Sequence, residues 1–149
     1  MTAPATLVVE AMSPSLLPGI AALLRQAGLP SEGIAASQCR FWQLGNGAAP
    51  RAVAAVEFYG AQGLLSSVLV DVAERRKGLG RKIVAGALDE ARRLGVREVY
   101  LLATSAAGFF ATLGFRTIER AGVPSDIAAT AEFATLCPAS AVCMTKTLG

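Results

Sequence analysis

The feature that most constrains this chain is a strand, a basic glycine turn and a helix in immediate succession. Leu64-Leu65-Ser66-Ser67-Val68-Leu69-Val70 is an apolar run that reads as a buried strand. Residues Leu79 to Leu94 place Leu79, Ile83, Ala87, Ala91 and Leu94 three or four positions apart, which predicts an amphipathic helix with Gly95 ending it. Between the two lies Arg75-Arg76-Lys77-Gly78-Leu79-Gly80. Glycine lets the backbone approach an anion closely, because no Cβ intervenes. The first amides of a helix lack intrahelical partners, and the helix dipole adds positive potential there. The segment is therefore built to hold a phosphate.

Two common phosphate loops are excluded. No Gly-x-x-x-x-Gly-Lys-Ser/Thr run occurs, and Ile83 stands where a dinucleotide fingerprint needs its third glycine. What remains is Arg-x-x-Gly-x-Gly on Arg75, Gly78 and Gly80. This resembles the pyrophosphate motif of the GCN5-related N-acetyltransferases, the GNAT family, in which the loop cradles acetyl-coenzyme A. A second landmark, Phe109-Phe110-Ala111-Thr112-Leu113-Gly114-Phe115, is similar to that family's Phe-Tyr-x-x-x-Gly-Phe signature. The resemblance covers roughly residues 5–147. It implies a GNAT fold, a mixed and mostly antiparallel sheet flanked by helices, with acetyl-CoA as cofactor.

Composition narrows the partners. The chain of 149 residues is 53% hydrophobic and 17% charged, which suits one domain over 1–149 with a sizeable core. Its net charge of +3 is small and concentrated near the glycine turn, so nucleic acid is not expected. The longest apolar runs fall short of a membrane span, and the N-terminus does not read as a signal peptide. Cys39, Cys137 and Cys143 are odd in number, which argues against a disulfide framework and for a reducing, cytoplasmic setting. Histidine is absent, so Ser-His and Cys-His nucleophiles and imidazole-bound zinc are excluded, and no metal is expected.

Along the chain, Thr6 to Glu10 reads as a first strand, Leu16 to Ala27 as a helix, and Ser31 to Ser37 as a short second helix. Gln38 to Leu44 and Arg51 to Tyr59 read as strands joined across Gly45-Asn46-Gly47 by a connection longer than two residues. With Leu64–Val70 they make three consecutive antiparallel strands. Asp89 and Arg93 are spaced for an exposed ion pair. Then follow a strand over Val96–Ala103, a short helix over Ser105–Leu113, a strand over Phe115–Arg120, a helix over Pro124–Thr135 and a last strand over Ser140–Thr147. Antiparallel strands around a strand-helix-strand unit imply an α+β domain.

Val123-Pro124-Ser125-Asp126-Ile127, and Glu132 to Met144 through Cys137-Pro138, resemble the tail of the second class of arsenic-resistance N-acetyltransferases. That resemblance implies a cytoplasmic acetyltransferase acting on a small, amino-acid-like amine and linked to arsenic detoxification. Trivalent arsenic favours thiolates, so Cys137 is a candidate contact, although free cysteine more often serves as a small buried hydrophobe. A homodimer is an expectation of the wider GNAT resemblance.

The resemblance also distributes roles. Amides from Arg75, Arg76, Lys77, Gly78, Leu79, Gly80 and Arg81 would hold pyrophosphate. Leu69, Val70 and Val72 would line the cofactor, an amide near Leu69 or Val70 would polarise the acetyl carbonyl, and Phe109 and Phe110 would flank it. The family's usual tyrosine, the acid for the departing thiolate, falls on Phe110, which has no proton to give. Ser105, Thr104 and water are substitutes, though a thiolate leaves readily near neutral pH. The strand Leu64–Val70 has no carboxylate, so Glu57 on the preceding strand is the first candidate base, its side chain facing either the cleft or solvent. Ser66, Arg51 and Arg120 are candidate substrate contacts, and guanidinium suits a carboxylate. The alternatives are a non-catalytic coenzyme A-binding module and an acetyltransferase of protein amines.

Overall fold

The computed structural model describes residues 10–11, 39–46, 49–70, 78–130, 133 and 141–148. Among them, strands β1 (Glu10–Ala11), β2 (Cys39–Asn46), β3 (Ala49–Tyr59), β4 (Gln62–Val70), β5 (Glu98–Ala103), β6 (Arg116–Thr117) and β7 (Val142–Thr147) form one sheet. Its order is β1-β2-β3-β4-β5-β7-β6. Helix α1 spans Leu79–Arg93, α2 spans Ala107–Thr112 and α3 spans Ser125–Ala128, with a 3-10 turn at Arg120–Gly122. All described pairings are antiparallel except β4 with β5. A parallel pair needs a crossover, and α1 supplies it. The readings of strand at 6–9 and helices at 16–27 and 31–37 lie outside the described residues.

Alternation along β3 sorts the sheet into two faces. Ala52, Ala54 and Val56 join Trp42, Leu44 and Leu65 in a core with Leu79, Ile83, Val84, Ala87, Leu88 and Ala91 of α1. The opposite face carries Leu64, Tyr100 and Cys143, which pack with Ile127 of α3 and with Phe133. Small alanines on β3 let α1 sit close.

Several boundaries move for physical reasons. Asn46 pairs with Ala49, so β2 and β3 run on to within two residues of each other, closer than the glycine cluster suggested. Leu94 is 53% exposed rather than part of the buried face of α1, because it is the residue at which the helix ends. Gly95 then turns the chain at φ +105°, a conformation that favours glycine. Arg93 pairs with Glu90 at 2.5 Å, not with Asp89. The expected strand Phe115–Arg120 shrinks to Arg116–Thr117, since the chain enters the 3-10 turn at Arg120. The helix expected over Pro124–Thr135 is described as one turn, Ser125–Ala128, with the Thr130 hydroxyl donating to Ile127 O at 2.7 Å just beyond it.

Candidate active site

The start of α1 carries a left-handed glycine and amides outside the helical ladder. Gly78 precedes the helix at φ +77° and ψ +11°, a left-handed conformation. The first intrahelical bond runs from Lys82 N to Gly78 O, at 3.2 Å. The amides of Leu79, Gly80 and Arg81 therefore precede the helical ladder, and no side chain among the described residues caps them. The first turn holds no acidic residue. Arg75, Arg76, Lys77 and Val72 lie outside the described residues.

Gly80 is a meeting point. A Cβ there would stand 3.3 Å from Phe109 Cζ and 3.7 Å from Val70 Cγ2. The end of β4, the start of α1 and the rings of α2 thus converge at a spot that only a hydrogen side chain leaves uncrowded. Arg81 strengthens the junction by donating to Thr112 Oγ1 at 3.1 Å, and that hydroxyl donates to Phe109 O at 2.6 Å. The Arg81 guanidinium therefore serves α2, leaving its amide for an anion. Leu79 likewise turns its side chain into the core. Gly114 ends the α2 turn at φ +95°, and Lys146 Nζ caps it by donating to Leu113 O at 2.7 Å.

Phe109 and Phe110 part company. Phe109 is 36% exposed at the surface of this junction. Phe110 is 8% exposed, with its ring in edge-to-face contact with Phe109 at 5.1 Å and Phe115 at 5.7 Å between centroids. Phe110 is a core residue, and the ring open to a ligand is Phe109.

A gap splits the sheet beside this junction. The ladder between β4 and β5 joins Gln62, Gly63 and Leu64 to Glu98, Val99 and Tyr100, and stops there. From Leu65 to Leu69 the edge of β4 facing β5 has no ladder partner there among the described residues. Main-chain donors and acceptors in that position need partners, and an extended, amide-bearing ligand arm supplies them. The side chains of Leu69 and Val70, on this stretch, are half-buried. At the point of divergence β4 carries an irregularity. Ala55 pairs with Ser67 and Val56 with Leu65, so Ser66 is an extra residue.

Around Ser66 lies a polar group on the face opposite α1. Cys39 of β2 pairs with Glu57 of β3, which pairs with Leu64 of β4. The Cys39 thiol is hydrogen-bonded to the Ser66 side chain, and burial together with the Glu57 carboxylate pushes its pKa up to about 12. Glu57 is half-buried, and its Oε1 accepts a hydrogen bond from the Tyr59 hydroxyl at 2.5 Å. From Ser66 to Val70 the strand advances about 13 Å. The anion-ready helix start and the carboxylate are thus set apart by the length of an extended arm.

The other candidates scatter. Ser105 is exposed in the loop between β5 and α2. Arg51 is half-buried on β3. Arg120 donates to Phe133 O at 2.9 Å, and its guanidinium lies 5.6 Å from the centre of the Phe133 ring, so it fastens the second core. It also borders a cleft of 480 Å³ with Thr117, Glu119 and Cys143. Cys137 lies outside the described residues. Among the described residues, no group of three or more His, Cys, Asp or Glu comes together to hold a metal. None of their helices is long and apolar enough to cross a membrane. Tyr59 was missed, although Glu57-x-Tyr59 on one strand places both side chains on one face.

Comparison with known proteins agrees with this geometry. The model of the acetyltransferase (GNAT) domain matches residues 37–117, more than half of the chain. N-acetylglutamate synthase from Neisseria gonorrhoeae, complexed with coenzyme A and N-acetyl-glutamate, is similar at TM-score 0.79 and 20% identity. The match covers 99% of this chain and 36% of that one, so this chain spans about a third of the synthase. Rv2747 from Mycobacterium tuberculosis, solved with coenzyme A, is similar at TM-score 0.74 and 23% identity, covering 94% of this chain and 98% of that one. The ribosomal-protein-S18-alanine N-acetyltransferase from Escherichia coli follows at 0.71 and 21%, covering 95% and 94%. No curated protein matches the sequence.

Proposed function

We propose that this chain, which belongs to the GNAT acetyltransferase family, moves an acetyl group from acetyl-coenzyme A to the amine of a small, amino-acid-like acceptor. The observation that carries the reading is the division of labour along β4. One end of the gap meets the uncapped start of α1 and the close approach at Gly80. The other end meets the extra residue Ser66 and the Glu57 carboxylate.

The residues present fit the cofactor. Gly78 and Gly80 keep side chains away from the helix start, and the unladdered edge of β4 offers main-chain groups to an extended arm. Acetyl-coenzyme A, when bound, supplies an activated thioester. The chain's own tasks follow. Amides of α1 hold negative charge, with Arg75, Arg76 and Lys77 adding cationic potential. Amides of β4 near Ser66 donate toward charge developing on a carbonyl oxygen, nearer the gap's closed end than Leu69 or Val70. Glu57 accepts a proton from the acceptor ammonium, leaving a free amine to attack. Phe110 donates no proton, so the thiolate leaves without a side-chain acid and takes its proton from water. Ser105 and Thr104, both exposed before α2, are the side-chain alternatives.

The acceptor class rests on analogy with the synthase complexed with N-acetyl-glutamate. The tail from Val123 to Met144 adds arsenic-bearing amino acids to the candidates, with Arg51, Arg120, Ser66 and Cys137 as contacts. A cytoplasmic location and a homodimer go with this reading, and light scattering tests the dimer. The decisive experiment is calorimetry with acetyl-coenzyme A, followed by mass spectrometry of a panel of amino acids and arsenical analogues. Binding with one acetyl added to an acceptor supports the reading. Binding without any turnover favours a sensing module, a second reading that the buried Phe110 motivates. Absence of binding overturns both.

A further inference from the structure

Helix α2 cannot hold its own place. It has six residues, Ala107–Thr112, and no side chain among the described residues caps its start. A helix that short is not stable alone in water, so contacts from outside must set its position. Phe110 roots it in the core, and Lys146 Nζ donates to Leu113 O just past its end. Neither contact ties Phe109, the ring open at the surface of the junction, to α1.

The first turn of α1 makes that tie twice over. Gly80 and Arg81 are consecutive, and both act on Phe109. Gly80 leaves room for the ring, since a Cβ there would stand 3.3 Å from Phe109 Cζ. The Arg81 guanidinium donates to Thr112 Oγ1 at 3.1 Å, and the Thr112 hydroxyl donates to Phe109 O at 2.6 Å. This relay has one direction. The hydroxyl accepts from α1 and hands its own proton to the main chain of Phe109, one helical turn away.

We propose that Arg81 and Thr112 are positioning residues for the cofactor, holding the Phe109 ring as a fixed apolar wall beside the amides that start α1. This rests on the reading of the junction as an acetyl-coenzyme A site. The amide-bearing arm of that cofactor runs along β4 from its phosphate end, and Phe109 stands where the end of β4 meets α1. A wall already in place spares the complex the entropy of ordering α2 at each binding event. A guanidinium beside an anion site is suited to pairing with phosphate oxygens. This one is turned to a neutral hydroxyl on α2, so its removal acts through Phe109 and not through lost charge.

The test is calorimetry of the full chain with coenzyme A. Thr112→Val keeps the shape of the side chain and changes no charge. It should weaken binding about threefold to tenfold, the size of one modest hydrogen bond. Thr112→Ser, which keeps the hydroxyl, should bind within about twofold of the parent, below the loss of one such bond. Arg81→Met should lose as much as Thr112→Val, and the double variant no more than either, because both break one relay. Phe109→Ala should lose at least as much again as the single relay variants. Additive losses in the double variant mean that Arg81 holds the ligand itself, and they overturn the proposal. So does a Thr112→Val or Phe109→Ala protein that binds like its parent, or a loss that Thr112→Ser shares. A parent that binds no coenzyme A fails the reading of the site and takes the relay with it. A parent that binds beside unchanged variants fails the relay alone.

Discussion

Phe110→Tyr returns to the chain the side chain that its family's signature carries, and it should not restore an acid. The ring of Phe110 is 8% exposed and contacts Phe109 and Phe115 edge to face. It belongs to the core that includes Leu79, Ile83 and Phe115. A hydroxyl added there exchanges water for apolar neighbours, at a cost of about 1–3 kcal/mol when no partner is found. For a chain of this size each kcal/mol moves Tm by about 2–4 °C, so the variant should melt about 2–12 °C lower. Truncation to alanine sets the upper scale, at about 3–5 kcal/mol for a buried ring. Scanning calorimetry measures the loss, and turnover against pH measures the gain. The expected result is a lower Tm with turnover within twofold of the parent across the pH range. A variant with an unchanged Tm and a faster reaction whose rate falls as a group ionises near pH 10 would refute this reasoning, since the phenol would then be solvated and at work.

Gly78→Ala should cost about 1–2 kcal/mol in a urea melt, because φ +77° strains any side chain although nothing lies within 4 Å of the new methyl. A neutral outcome would mean that this backbone relaxes. Alkaline stability should depend on Cys39. Its thiol is held up at about 12 in the fold, while in the unfolded chain it ionises near the ordinary value of about 8.5. Above that value the unfolded state binds fewer protons, so stability falls as pH rises, by up to about 1.4 kcal/mol per unit, and Cys39→Ala should flatten the slope in urea melts from pH 8 to 11. Arg120→Lys should lose about 1 kcal/mol, since lysine cannot both donate to Phe133 O and lie flat against the ring; an unchanged melt with a raised KM would instead restore Arg120 as a substrate clamp.

Local signals were readable where they act locally. Gly78 and Gly80 marked a turn into a helix, and α1 begins there, whereas the close approach of Phe109 to Gly80 was not announced by spacing. The apolar spacing of α1 announced its buried face, apart from Leu94, whose exposure depends on where the helix stops. What stayed hidden belongs to pairing between strands. Nothing in Leu64–Val70 says which serine will be the extra residue, because that count is defined only against β3. The motif placed Phe110 with the ligand, but motif position does not report which way a ring turns, and packing against Phe115 decides it. The clamp between Arg81 and Thr112 joins residues of two helices that are far apart in sequence, so spacing alone could not reveal it.

The extra residue at Ser66 matters for the shape of β4 rather than for its faces. Before it, Leu65 faces the α1 core, and after it Val68 and Val70 do so. With Ser66 deleted, Leu65 would still pair with Val56 and Val68 with Ala54, so the alternation would run unbroken and both flanks would keep their faces. What would go is the local bend that an extra residue makes in a strand, at the place where β4 parts from β5, together with the bond to Cys39. The serine is dispensable to the core and is spent on the gap.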